Sequence, residues 1–491
     1  MKKIYLYSIF VLLFTLSSCS GMTTGNTFTF YANENNAELF DGYYKPHRDA
    51  LRYYPRDINS QIGWYTSNTI GEQKILVVPV QLTDAPIWTS NMINEVNIAF
   101  FGDSNQTSFY SVHDFFYKSS YGKLNLTGKV SDILQSSYSV KALNGYGESA
   151  PEYIIKEFLK SDISKYKDYN LDGDSFLDNV VFLYSNNYSA DSDSSYWAWC
   201  SYYSDYKSEL TINNFMWASY QFLKNGYYDK YNQGKLETHT FIHETGHLLG
   251  LDDYYCYDEL SSWDPAGALD MQSYNVGDHN VFSKFILGWL EPYVVTDECE
   301  IELKTSSLYP EAILIKNDWN GSSYDEYLLI EYYTPLGLNE IDSLHPYTRG
   351  TKMYDYSGLR IYHVDSRLVE LVATLSDDYI AKKYVDIMSE ETNYSFCYVG
   401  ASNSEDRSFL KSPYSYQYKY LHLLDRAENN RITNRVRELD PSTTLWTEGS
   451  EFSANRHFFI NGDSFNDGEQ IDYKISVSDL NNTSCKVKIY K

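Results

Sequence analysis

The sequence is short of cysteine and of positive charge. Six cysteines are spread over 491 residues, and Cys200, Cys256, Cys299, Cys397 and Cys485 stand at wide, irregular spacing with no CxxC pair. This excludes a cysteine-rich zinc site and leaves no disulfide framework to read; pairing cannot be assigned from spacing. Lysine and arginine total 40 against 66 aspartates and glutamates, for a formal net charge of −26. Phosphate binding needs a clustered basic surface, so this balance argues against a nucleic-acid partner. Hard cations are the natural counter-ions, although most of the carboxylates serve simply as a solvated surface. A glycine-rich phosphate loop, a nucleophile-elbow serine and a catalytic Cys-His signature are also missing. No internal repeat or low-complexity tract occurs.

What is present is ample apolar material, 43% hydrophobic and 17% aromatic residues. The length exceeds what one core of about 250 to 300 residues organises, so two folded units are expected. The chain opens with Lys2 and Lys3 and an apolar run from Ile4 to Leu16, too short for a membrane span, which predicts a signal peptide over residues 1–18. Leu16-Ser17-Ser18-Cys19 resembles the lipobox of bacterial lipoproteins. That resemblance implies lipidation of Cys19, and with it export and a lipid anchor at the cell surface or outer face of a membrane. Residues 19–70 are polar without sustained period and read as a tether or short pro-like segment.

Residues 71–292 alternate strand, helix and loop. KILVVPVQLTD and DNVVFLY read as buried strands, and SVHDFFYKSSYG as a helix stopped near Tyr121-Gly122, before the strand LNLTGKV. This pattern favours a layered α/β catalytic unit. Residues 293–491 turn to short β-rich runs such as CEIELKT, EAILIKN, YLLIEYY, LRIYHVD, YKISVSD and CKVKIYK, predicting an all-β, sandwich-like region.

The segment THTFIHETGHLLGLDDYY carries the chemistry. His243 and His247 are four residues apart, so on a helix both imidazoles face one ion, and zinc accepts imidazole nitrogen without directional preference. Glu244 is offset around the helix so that its carboxylate can face water at the open metal position and act as base. Gly250 lets the chain leave the helix with φ > 0, and the resulting turn can bring Asp253 back as third ligand. Phe241, Ile242, Leu248, Leu249 and Leu251 predict that this helix is buried rather than a solvated surface helix. His239, one turn earlier, reads as a packing residue or a support for the ligands.

His243, Glu244, His247, Gly250 and Asp253, with Tyr255 in the aromatic place, resemble the HExxHxxGxxD motif of the immune inhibitor A family of secreted bacterial metallopeptidases. SVHDFFYKSSYGKLNLTGKV, GALDMQSYN, FSKFILGWLEP, DEYLLIEYYTPLGLNEID and SGLRIYHVD are similar to further segments of that family. The resemblance implies an α+β, metzincin-like zincin fold for the catalytic domain, with Met271 as the methionine beneath the zinc. Where the family often has proline before the ligand aspartate, this chain has Asp252, leaving two adjacent carboxylates; spacing favours Asp253.

A second acidic loop, DYNLDGDSFLDN, places Asp168, Asn170, Asp172 and Gly173 in the D-x-N-x-D-G start of a calcium loop, with Asp178 before Asn179 at the twelfth position. It reads as a calcium site of structural role, against a solvated acidic turn as the plainer reading. The 50 tyrosines read mainly as half-buried β-surface residues. The expected activity is that of a zinc-dependent endopeptidase cleaving extracellular protein or peptide substrates, with Glu244 activating water and Tyr274 as an oxyanion donor. The alternative is a surface adhesin or glycan-binding lipoprotein with a vestigial zinc site.

Overall fold

The computed structural model describes residues 29–51, 66–189, 194–203, 210–228, 234–257, 263–348, 352–373, 379–385, 397–404, 418–432 and 436–491. The expected signal peptide and Cys19 lie outside them. Among the described residues no helix is long and apolar enough to cross a membrane. The architecture is mixed α/β, with several sheets.

The first large sheet runs Leu124–Val130, Gly71–Gln81, Asn179–Tyr184, Asn214–Ser219 and Trp199–Tyr202. The first four strands pair in parallel, and Trp199–Tyr202 closes the edge antiparallel to Asn214–Ser219. A parallel sheet needs cover on both faces, and the near-continuous apolar run Ile75 to Val80 supplies it with side chains of alternating direction. Ile75, Val77, Val181 and Leu183 pack with the helices Ser90–Phe101, Val112–Ser119 and His239–Leu248. Leu76, Val78, Val180 and Phe182 pack with the helix Ala150–Leu159. In Val112–Ser119 the buried residues Val112, Phe115, Phe116 and Ser119 follow the helical period, and Ser111 caps the start by accepting from Asp114 N at 3.2 Å.

The second sheet has seven strands, in the order Ala37–Phe40, Tyr43–Pro46, Tyr293–Val295, Ile313–Ile315, Glu326–Tyr333, Gly358–Asp365 and Leu421–Leu423. Every residue of Glu326–Tyr333 and Gly358–Asp365 is buried, because both faces are covered. One face, with Ile313, Leu328, Ile330 and Ile361, packs on Phe452, Ile475, Val487 and Ile489 of a four-stranded antiparallel sheet. This is a sandwich-like pairing, and Ser484–Tyr490 shows the alternate burial of a one-sided strand. The other face, with Leu314, Leu329, Tyr327 and Tyr362, shares a core with Leu248, Met271, Phe282 and Phe285. The core therefore crosses the boundary at residues 292 and 293.

The expected tether is different in part. Ala37–Phe40 and Tyr43–Pro46 form a hairpin across the two-residue turn Asp41-Gly42, and Tyr43 and Tyr44 pair with Val295 and Val294. Asp-Gly is a strong hairpin signal; Gly42 sits at φ 79°, and a Cβ there would meet the carbonyl oxygen of Glu298 at 2.5 Å. Phe30 and Tyr44 add a stacked ring pair to the core, with centroids 5.7 Å apart.

Candidate metal centre

The helix His239–Leu248 is buried at all 10 of its residues. Phe241, Ile242 and Leu248 anchor it in the core, and Asn214 Nδ2 donates to Leu248 O at 3.0 Å from the neighbouring strand. Gly250 at φ 102° turns the chain out of the helix, and Leu251 N closes the turn on Gly246 O at 3.0 Å. The segment after it has no regular secondary structure; Asp252 is exposed and Asp253 buried.

The turn gathers His243, His247 and Asp253 into one cluster. His243 Nδ1 donates to Met271 O at 2.8 Å, and His247 Nδ1 donates to Leu251 O at 2.7 Å. A carbonyl oxygen only accepts, so each ring carries its proton on Nδ1 and presents an Nε2 lone pair. The two Nε2 atoms are 3.1 Å apart and lie 3.0 and 3.2 Å from Asp253 Oδ1. Three electron-pair donors thus meet in a buried space where they repel unless a cation sits among them. Tetrahedral zinc with bonds of about 2.0 to 2.1 Å spaces its ligand atoms by about 3.3 Å, so the donor set fits that ion. Without a cation the same geometry attracts a proton: burial disfavours the charged His247 ring, yet Asp253 outweighs it and raises the pKa to about 10. Burial would also raise Asp253, but His247 and His243 hold it well below the usual carboxylate range.

Glu244 is buried beside this cluster, and its Oε2 makes no hydrogen bond among the described residues. Burial pushes its pKa upward, against the pull of the two imidazoles. Tyr257 donates its hydroxyl to Asp253 Oδ2 at 2.5 Å, leaving Oδ1 turned to the histidines. The Tyr255 ring lies 6.4 Å from that of His243; burial and the charges of Asp253 and Glu244 keep its phenol protonated. Cys200, on the edge strand, places Sγ 3.0 Å from Glu244 O, and burial with the nearby Glu244 and Asp253 carboxylates holds it as a thiol. All five described cysteines are free. Spacing in the sequence carries no signal for Cys200, because a strand far upstream delivers it; Tyr257 stood in view, four residues beyond the ligand.

Met271 begins the short helix Met271–Tyr274, and its side chain is fully buried in the core that also holds Leu248 and Tyr254. Its carbonyl is the group that orients His243. Asp270 caps this helix through Gln272 N at 2.9 Å and accepts from Asn280 Nδ2 at 2.8 Å; burial pushes its pKa up to about 6. Tyr274 is 37% exposed; its hydroxyl lies 3.5 Å from Thr348 Oγ1, and its ring meets that of Tyr347 edge-on with centroids 6.1 Å apart. His239 is no ligand: it sits between Glu237 and Asp342, with Nε2 3.2 Å from Asp342 Oδ1, and its ring stacks between Phe109 and Tyr347 at 4.2 Å each.

In the acidic loop the carboxylates that converge are Asp172, Asp174 and Asp178. Asp168 stays in the 3-10 helix Ile163–Tyr169 and is not one of the group, and Asn170 Oδ1 accepts from Gly173 N at 2.8 Å to shape the turn. Asp174, which the sequence pattern did not single out, is the third member of the group.

No protein-family model matches the chain, and no curated protein matches it. Among solved structures it aligns with metalloproteinase-II from Bacteroides fragilis at 13% identity and a TM-score of 0.22, over 40% of this chain and 48% of that one. That alignment spans under half of the neighbour and is too distant to bear on fold or chemistry.

Proposed function

We propose that the chain is a zinc-dependent endopeptidase acting on extracellular proteins from a lipid anchor at Cys19. The supporting observation is the convergence of His243 Nε2, His247 Nε2 and Asp253 Oδ1 beside the buried Glu244 carboxylate. A zinc ion held by those three residues supplies Lewis acidity, polarising a peptide carbonyl and making water acidic enough to ionise near neutral pH. Glu244 takes the proton of the attacking water and delivers it to the leaving amine nitrogen. Its burial, which raises the pKa, suits a base that must give its proton back. Tyr255, whose ring lies 6.4 Å from that of His243 and whose phenol burial and the Asp253 and Glu244 charges keep protonated, is the donor we assign to the carbonyl oxygen as charge builds there. Tyr257 fixes the rotation of the Asp253 carboxylate. Calcium at Asp172, Asp174 and Asp178 belongs to the same reading, as a structural ion.

The test is hydrolysis of casein or gelatin by the metal-loaded chain. Cleavage should stop with a chelator and return on adding zinc. Zinc bound at one per chain with no cleavage of any protein offered would favour the adhesin reading instead.

A further inference from the structure

The loop that carries Asp253 has no strand or helix of its own, so its backbone groups must find partners elsewhere. On one side Tyr254 N donates to Gln272 O at 2.8 Å. On the other side the partners come from residues 401–404, in the C-terminal β region. Asn403, 1% exposed, donates from Nδ2 to Tyr254 O at 3.0 Å and to Leu421 O at 2.8 Å, and its Oδ1 accepts from Leu421 N at 3.2 Å. Both amide hydrogens and the amide oxygen are used, which fixes the side chain in one orientation. Ser404 O accepts from Tyr257 N at 2.9 Å, on the same residue whose phenol donates to Asp253. Leu421 belongs to the seven-stranded sheet, where it pairs with Val364. A continuous path of hydrogen bonds therefore runs from that sheet through Asn403 to the residue following the third ligand.

We propose that Asn403 is a positioning residue of the metal centre: it ties the Asp253 loop to the seven-stranded sheet, so that the C-terminal β region completes the site. This rests on the reading of His243, His247 and Asp253 as zinc ligands. Outer partners of metal ligands typically account for about 10- to 100-fold in metal affinity.

The experiment compares full-length wild type with Asn403→Ala and Asn403→Asp, the second keeping the size while losing the donor hydrogens. Zinc affinity is measured by competition with a chelator, and melting is followed with and without zinc. Both variants should bind zinc about 10- to 100-fold more weakly, and the rise in Tm on adding zinc should shrink. A purely structural role would lower the zinc-free and zinc-loaded melting points together and leave the affinity alone; that result overturns the proposal. Hydrogen exchange on the wild type keeps the test independent of variant folding. Residues 251–257 and 401–404 should gain protection together on zinc binding, and protection of the first segment alone contradicts the tie. A wild type that takes up no zinc would instead remove the metal reading on which the proposal stands.

Discussion

Asp252 and Asp253 are neighbours of the same chemistry, and the structure separates them by direction. Asp252 is exposed, while Asp253 is buried with Oδ1 near both Nε2 atoms and Oδ2 on the Tyr257 hydroxyl. Asp253→Ala should therefore weaken zinc binding by about 100-fold or more, whereas Asp252→Ala should leave it near the wild-type value; chelator competition reads both. Equal losses would mean that the ligand assignment is wrong. Much of the site was legible in the sequence because its parts are local: helical spacing brings the two histidines together, and Gly250 supplies the turn. The rest was not. Cys200 reaches the site from a distant strand and Asn403 from the irregular residues 401–404, both far from the motif in sequence.

At the scale of elements, the helix His239–Leu248 is positioned at its start by an ion cluster. Burial opposes charge on His239, but Glu237 and Asp342 outweigh it and raise the pKa from 6.5 to about 10. A group whose pKa is raised on folding contributes its full stabilisation below its unfolded value and loses it as pH rises through the folded value. The contribution is thus complete below about pH 6.5 and fades toward pH 10. His239→Gln leaves two buried carboxylates without their cation, a loss of about 3 to 5 kcal/mol. Its Tm should be well below the wild-type value at pH 6.5, with a flatter decline into alkali. Parallel curves for the two proteins would contradict the cluster's role. The sequence reading placed His239 as packing or support, and the helical period alone could say no more: Glu237 lies two residues away, but Asp342 comes from the other half of the chain.

For the whole molecule, the feature that matters is the seven-stranded sheet with apolar residues on both faces. Three of its seven strands, Ile313–Ile315, Glu326–Tyr333 and Gly358–Asp365, were legible as apolar runs, and full burial of Glu326–Tyr333 follows from being covered twice. Its partners were not legible. The strand pattern gave no sign that Leu329 and Tyr362 share a core with Met271 and Phe285, or that residues 37–46 supply the outer hairpin. The Asp41-Gly42 turn was the available signal, but four-residue strands are too short to show a period. A fragment of residues 71–292 should therefore fail to melt cooperatively or hold zinc, because the core behind its closing helix, Val281–Ile286, would face water. A cooperative, zinc-binding fragment would show that the catalytic half stands alone. The central claim, that Glu244 works as base beside a zinc held by His243, His247 and Asp253, is tested most directly by kcat/KM for peptide hydrolysis in Glu244→Gln and wild type at equal zinc content. The variant should keep one zinc per chain and lose about 100- to 10,000-fold in rate. Undiminished hydrolysis by zinc-loaded Glu244→Gln would contradict the account.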